Sequence, residues 1–322
     1  MRILVTGATG FLGGAAARTL AAAGHSVTGT GRDPARGAAL ERGGVRFLSA
    51  DLRGDPAPLL PDIQAVLHCA ARSTLWGDWA DFYADNVLVS ARLARACAVR
   101  GLRLVHISTP SVYNATGLTR QVPESAPIGP RFDSLYARSK YLAELAVRMA
   151  LPDAAVLRPR GIYGPGDTSI LPRLARALRS GRLPRLTRHE VYTELTQVQN
   201  VVHAASLALE RPAAGVFNVT DGVSVPIWAT LDRLADILEV PRPARYVPAR
   251  VAEGAAAVLE IAYRLHPGSP DSASPEPPIT ASGVRLLTRP MTLDLTRARE
   301  RLGYVPLMHP EVGLQSALEA LR

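Results

Sequence analysis

Met1–Gly14 reads MRILVTGATGFLGG, and the organisation of the whole chain follows from it. Ile3, Leu4 and Val5 form a short apolar run rich in branched side chains, the pattern of a strand buried on both faces. Gly7, Gly10 and Gly13 come next, and then Ala15–Ala23, a strong helix former stopped by Gly24. Strand, glycine turn, helix is the context in which a glycine motif takes a dinucleotide. Glycine lets the backbone approach the ligand, and the helix start aims N–H groups and the positive end of its dipole at a pyrophosphate. The loop residues Gly7, Gly10, Phe11, Leu12 and Gly13 are the expected cradle.

Strand and helix signals then alternate. His25–Thr30, Val45–Ser49, Ala65–Cys69, Leu102–Ile107 and Ala154–Leu157 read as strands, and Asp78–Arg100, closed by Gly101, as a helix. The alternation predicts an α/β fold, a doubly wound parallel sheet of the Rossmann type. After Pro159 the regularity weakens. Leu171–Gly181 and Trp228–Glu239 look helical, Val216–Val219 is a short strand, and Ser269–Ile279 is a Pro/Ser loop. The division expected is a dinucleotide-binding core with the catalytic residues over 1–165 and a smaller, mainly substrate-binding C-terminal lobe over 166–322. Segments near 190–230 are expected to return to the core.

The composition narrows the function. Of 322 residues 47% are hydrophobic and 20% charged, a globular balance. No charge-free apolar run reaches the ~18 residues that span a bilayer. The first strand starts at Met1, so no signal peptide is expected. Cys69 and Cys97 form neither a metal-ligand nor a disulfide pattern, so no metal and a cytoplasmic location are expected. The net charge is +9, but the arginines are scattered rather than clustered, which argues against nucleic acid. Val251–Leu265 reads either as an apolar flap over a pocket or as a peripheral membrane contact; periodicity does not separate the two. Of the 37 basic residues one is a lysine, Lys140.

Lys140 lies four residues after Tyr136 in SLYARSKYLAELAVRMA, a helical stretch with Ser134 as N-cap and Pro152 just beyond. That spacing puts both side chains on one helix face. An ammonium beside a phenol favours the phenolate, so a tyrosine pKa lowered towards neutrality and a general acid/base at Tyr136 are expected. Thr109 closes a strand in LVHISTPSVY, where a hydroxyl faces the cleft and can hydrogen-bond a substrate oxygen; Ser108 and Ser111 lie close enough to compete for that role. The cofactor's 2′ position is read at the end of the second strand. There Gly31 stands where an acid would bind the ribose of NAD, and Arg32 follows, suited to a 2′-phosphate. NADP is expected; Asp33, one step later, keeps NAD as the alternative, and Arg36 either helps Arg32 or is a surface residue. Trp76 and Trp79, in TLWGDWADFY, suit an apolar substrate.

These motifs together resemble the extended short-chain dehydrogenase/reductase superfamily, the NAD-dependent epimerase/dehydratase type, from TGxxGxxG at Thr6–Gly13 onward. The resemblance implies further cofactor contacts: Asp51-Leu52 beside the adenine, Ala70 and Ala71 at the end of a strand, the helix asparagine Asn86, and the RPxxxYGPG stretch in which Pro159, Gly161 and Ile162 lie near the nicotinamide. It implies Thr109, Tyr136 and Lys140 as catalytic residues, with Lys140 also holding the nicotinamide ribose. It also implies a homodimer built on the helices that carry Asn86 and Tyr136. STPSV, LRPRGIYGPGD and DLTRARERLGYVP look like the 3β-hydroxysteroid dehydrogenase-like branch, most similar there to bacterial 2-alkyl-3-oxoalkanoate reductases. What this implies is interconversion of a ketone and a secondary alcohol on a small apolar substrate. A nucleotide-sugar epimerase or dehydratase is the enzymatic alternative, and a dinucleotide-sensing regulator or scaffold the non-enzymatic one.

Overall fold

The computed structural model describes residues 1–129, 131–265 and 276–321, with the backbone only at 114–116. The first half alternates as the sequence predicts: β1 (Arg2–Thr6), α1 (Phe11–Ala22), β2 (Ser26–Gly31), α2 (Pro34–Glu41), β3 (Arg46–Ser49) and β4 (Ala65–His68). Then come α3 (Trp79–Phe82), α4 (Val89–Val99), β5 (Arg103–Ile107), α5 (Leu135–Ala150) and β6 (Ala155–Pro159). The helix expected over 78–100 runs without a gap from Trp79 to Val99, with a π turn, Tyr83–Leu88, set between α3 and α4 and carrying Asn86. Such a turn inserts one residue into the helical ladder and redirects the side chains on it.

The second half holds β7 (Ile162–Tyr163), α6 (Ile170–Arg179), β8 (Tyr192–Glu194), β9 (Thr196–Gln197), α7 (Val198–Glu210), β10 (Gly215–Val219) and β11 (Ser224–Pro226). It ends with α8 (Ile227–Ile237), α9 (Ala249–Leu265), α10 (Ala281–Thr288) and α11 (Pro310–Glu319). Of the Pro/Ser loop expected over 269–279, residues 269–275 lie outside the described residues. The apolar stretch from Val251 is helix α9, with Val258 68% and Leu265 72% exposed. No helix among the described residues is long and apolar enough to cross a membrane.

The central sheet has seven strands in the order β10-β6-β5-β4-β1-β2-β3, each paired parallel to its neighbour. The order reverses between β1 and β4, and beyond the carboxyl ends of those strands lies the crevice where open α/β sheets take ligands. Strands buried on both faces explain the unbroken apolar runs: Ile3, Leu4, Val5, Val66, Leu67, Val105 and Leu157 are all 0% exposed. α1 and α7 cover one face through Ala16, Leu20, Val201 and Ala205. A separate apolar cluster forms around Trp228, with Leu171, Leu186, Leu231 and Leu314.

The glycine turn is fixed by crowding. Gly7 has φ +65°, and a Cβ there would meet Ala70 Cα at 2.8 Å. A Cβ on Gly13 would sit 2.2 Å from the Gly7 carbonyl oxygen. Gly254 in α9 has nothing within 4 Å. Gly13→Ala is expected to lower unfolding stability by about 2–3 kcal/mol, as overpacking against backbone does, and Gly254→Ala to raise it by roughly 0.5–1 kcal/mol, the helix-propensity gain. Urea midpoints check both. A Gly13→Ala protein as stable as wild type would remove the crowding argument.

Candidate active site

The cradle is built by β1, the turn after it, and the start of α1. Gly10 is the helix N-cap; no side chain caps α1, and no acid sits in its first turn. The helix start is therefore open to an anion, as a pyrophosphate requires. Ala70 packs against Gly7 and donates its N–H to Thr6 Oγ1 at 3.1 Å, so the ends of β1 and β4 are tied together where Ala70 and Ala71 were expected. Gly166 returns over Phe11, which a Cβ at that position would meet at 3.8 Å. Gly161, at φ +52°, accepts from Thr196 N at 3.3 Å and carries Ile162 into pairing with Thr196. The residues present thus fit a dinucleotide.

At the second-strand end Arg32 is exposed. Asp33 is already engaged: it caps α2, accepting from Arg36 N at 3.0 Å, and pairs with Arg36 Nε at 3.3 Å. Arg36 in turn donates to the Thr9 carbonyl at 3.2 Å, tying α2 to the glycine turn. Thr9 explains Gly31, since any Cβ there would lie 2.4 Å from Thr9 Oγ1. Asp51 is exposed and accepts from Arg53 N at 2.9 Å, with Leu52 beside it.

Thr109 and Tyr136 meet at the carboxyl end of β5. Thr109 is 7% exposed and heads a 3-10 turn, Pro110–Thr116, accepting from Ser111 N at 3.2 Å. Its hydroxyl donates to Ser111 Oγ at 3.1 Å and lies near enough to the Tyr136 phenol to favour its ionised form. Of the competing hydroxyls, Ser108 points elsewhere, donating to buried Glu144, while Ser111 accepts from Thr109, the hydroxyl that acts on the tyrosine. Asn86 sets the height of α5: its Nδ2 donates to Ser139 Oγ at 2.8 Å, and Ser139 donates to the Tyr136 carbonyl at 2.8 Å. Asn86 also donates to the Arg72 carbonyl at 3.1 Å and accepts from its N–H at 2.7 Å, pinning the strand-end loop.

Lys140 departs from expectation. It is 2% exposed, and Nζ donates to the Ile107 carbonyl at 2.6 Å and lies 3.5 Å from His106 Nε2. Burial pushes its ammonium down to about 8, with Glu144 pulling back. The expected lowering of the Tyr136 pKa is not found. Burial pushes the phenol up to about 12, and the opposing influence is the Thr109 hydroxyl rather than Lys140. The physical reason is that the ammonium is turned to the β5 carbonyl while a desolvated phenol prefers its neutral form.

Sequence reasoning missed the histidines beside it. His68 and His106 are register partners in β4 and β5, with ring centroids 5.2 Å apart. His68 bridges Thr6 Oγ1 (2.7 Å) and Ser90 Oγ (3.0 Å). Burial, aided by the Lys140 charge, lowers His68 to about 3 and His106 well below its usual value, so both are neutral. A histidine inside an apolar strand has no signature of its own; only the parallel register shows the pair. Equally hidden was the Glu144–Arg158 ion pair, 2.5 Å long, with side chains 1% and 3% exposed. Arg158 also reaches the Tyr113 hydroxyl, which donates to Asn218 Oδ1 at 3.1 Å.

The two tryptophans part. Trp79 lies under Arg138 (4.4 Å) and beside Tyr83 (5.7 Å), whereas Trp76 makes an edge contact with Tyr263 of α9 at 6.5 Å. Among the described residues no group of His, Cys, Asp or Glu could hold a metal.

The family model described as the NAD dependent epimerase/dehydratase family matches residues 3–220. The 2-alkyl-3-oxoalkanoate reductase of Stenotrophomonas maltophilia (strain K279a) is 33% identical, over 98% of this chain and 98% of its own. The sterol-4-alpha-carboxylate 3-dehydrogenase, decarboxylating, of Homo sapiens is 27% identical over 100% of this chain and 88% of its own. Among solved structures, the UDP-glucuronic acid 4-epimerase from Bacillus cereus in complex with NAD superposes with a TM-score of 0.76 at 21% identity, over 100% of this chain and 98% of its own. At that identity the likeness is one of fold.

Holding Lys140 charged in the fold costs stability. Its proton leaves at about 8 in the folded chain and at 10.5 in the unfolded one, a gap worth about 3 kcal/mol. Between those values the unfolded state holds the extra proton, so wild-type stability rises with pH across that window. Lys140→Met is expected to be at least as stable as wild type at pH 7, and its advantage to shrink as pH is raised from 8 to 10. Denaturant titrations at several pH values decide, and an advantage that grows with pH would contradict the cost.

Proposed function

The chain belongs to the NAD dependent epimerase/dehydratase family, and within it we propose an NADP-dependent oxidoreductase that interconverts a ketone and a secondary alcohol on a largely apolar substrate. The observation that carries this is the juxtaposition of Thr109 and Tyr136, with buried Lys140 one helical turn further on, at the carboxyl ends of the sheet. The motif resemblance to the extended short-chain dehydrogenases and their 3β-hydroxysteroid dehydrogenase-like branch is borne out by full-length relatives named as reductases and dehydrogenases. Their printed names, an oxoalkanoate and a sterol carboxylate, support an apolar substrate here.

A bound nicotinamide dinucleotide supplies hydride exchange with the carbonyl carbon. The residues that would hold it are the Gly7–Gly13 turn, Ala70, Ala71, Asp51, Leu52, Asn86, Pro159, Gly161 and Ile162, with Lys140 on the ribose. Arg32 is assigned the 2′-phosphate, a role Asp33 leaves open because its carboxylate is committed to α2. A phenol held protonated at neutral pH is the form that donates: Tyr136 gives its proton to the developing alkoxide. Thr109 holds the same oxygen by hydrogen bond, which strengthens as charge builds there. The Lys140 ammonium, held on the Ile107 carbonyl, is assigned the ribose rather than the phenol. The C-terminal elements around the Trp228 cluster are assigned the substrate. The homodimer is retained on the helices α4 and α5, whose Val99 and Met149 are 85% and 84% exposed.

Tyr136→Phe is expected to keep cofactor affinity and to retain less than ~1% of turnover, since a positioned acid contributes 100-fold or more. Stopped-flow and fluorescence titration separate the two, and a faster variant would remove Tyr136 from the chemistry. Arg32→Ala is expected to lower the preference for NADPH over NADH roughly 10- to 150-fold, the worth of one charge-assisted contact. A wild type that prefers NADH would return the 2′ position to Asp33. Millimolar UDP displacing substrate, where 3-oxo acids and steroids do not, would move the reading to a nucleotide-sugar epimerase.

A further inference from the structure

Arg160 sits between β6 and Gly161, and it is 6% exposed. A guanidinium that deep is ordinarily matched by a carboxylate or phosphate. Here its partners are two neutral atoms: Nε donates to Thr193 Oγ1 at 2.8 Å, and Nη1 to Met291 Sδ at 3.1 Å, a weak acceptor. Among the described residues Arg160 is in no ion pair. The nearest acid to influence it is Glu194, whose Oε2 already accepts from Thr220 Oγ1 (2.9 Å) and Leu293 N (3.0 Å). Burial lowers Arg160 to about 10, so it remains a cation at neutral pH.

The side chain lines a small cavity together with Thr119, Asp133, Arg285, Arg289 and Met291. The cavity measures about 20 Å³, room for a water or two. Its walls come in part from segments that adjoin the candidate site in sequence. Asp133 lies three residues before Tyr136, Arg160 adjoins the stretch assigned to the nicotinamide, and Arg285 and Arg289 come from α10 and the residue after it. The other two guanidiniums are balanced: Arg285 pairs with Asp133 and Glu253, each at 3.1 Å, and Arg289 approaches the same acids at 3.9 and 3.7 Å. Arg160 alone among the three faces the cavity without an acid of its own.

We propose that Arg160 binds the carboxylate of the substrate and so selects 3-oxo acids over the corresponding esters and simple ketones. The proposal rests on the ketone-reductase reading above. In a 3-oxo acid the carboxylate carbon is two bonds from the carbonyl carbon, so its anchor has to stand near the catalytic residues; Arg160 adjoins Gly161 in the stretch assigned to the nicotinamide, and Asp133, on the same cavity, lies three residues before Tyr136. A bidentate guanidinium–carboxylate contact in a desolvated cavity also fixes which face of the ketone is presented.

The test measures NADPH-dependent reduction of a long-chain 3-oxo acid, its methyl ester and the matching ketone by wild type, Arg160→Met and Arg160→Lys. Wild type is expected to favour the acid in kcat/KM by roughly 10- to 150-fold, the worth of one charge-assisted contact. Arg160→Met should lose that factor, chiefly in KM for the acid, with the ester unchanged, and Arg160→Lys should recover part of it. A wild type indifferent to the carboxylate, or an Arg160→Met protein slowed equally on acid and ester, would make Arg160 structural and overturn the proposal. Calorimetric titration with a 3-hydroxy acid is independent of turnover. If none of the ketones is reduced, the oxidoreductase reading fails, and the titration still decides the subsite: weaker binding to Arg160→Met upholds it, and equal binding refutes it.

Discussion

The carbonyl of Gly7 leaves no room for a side chain at position 13, where a Cβ would stand 2.2 Å away. That approach brings α1 down onto the end of β1, with the helix start uncapped and aimed along the crevice. The reversal of strand order between β1 and β4 opens the crevice at that same point. The ends of β5 and β6 and the start of α5 then gather along it, so the position of Tyr136 depends on a contact made more than a hundred residues earlier.

Around this frame the site is held by buried polar groups rather than by apolar packing. Glu144 and Arg158 neutralise each other, and Ser108 and Tyr113 fill their remaining hydrogen-bond capacity. The π turn places Asn86 where it can grip both Arg72 and Ser139, an arrangement a regular helix would not give. Lys140 is the exception, a cation whose neighbours are a carbonyl and a neutral imidazole. Its charge is offset only in part, by that carbonyl and by Glu144, and sites that bind or catalyse commonly give up stability in this way.

Much of this was legible from residue order alone. Continuous apolar runs and helical spacing located the strands and helices of the first half, because strands buried on both faces are unbroken apolar runs and local glycines mark their ends. Tyr136, Lys140 and Thr109 were legible because the chemistry demands their spacing. What failed was direction: spacing placed Lys140 on the face of Tyr136, but not its ammonium against Ile107, which depends on how α5 lies on β5. His106 and Glu144 were hidden because each means something only through a partner more than ten residues away. The C-terminal half resisted for the same reason: β7 and β9 are two residues each, and their pairing is set by the sheet rather than by propensity.

The one lysine of this chain is 2% exposed at the floor of the crevice. Its surface is basic through arginine alone, so the folded protein shows solvent no side-chain amine. Acylating reagents, acetyl-transferring enzymes and ubiquitin ligases that target lysine find no substrate on the native surface. Any labelling of Lys140 therefore counts openings of the crevice or of the fold, and the rate of labelling at that residue, read apart from the Met1 α-amine, becomes an intrinsic clock for that motion.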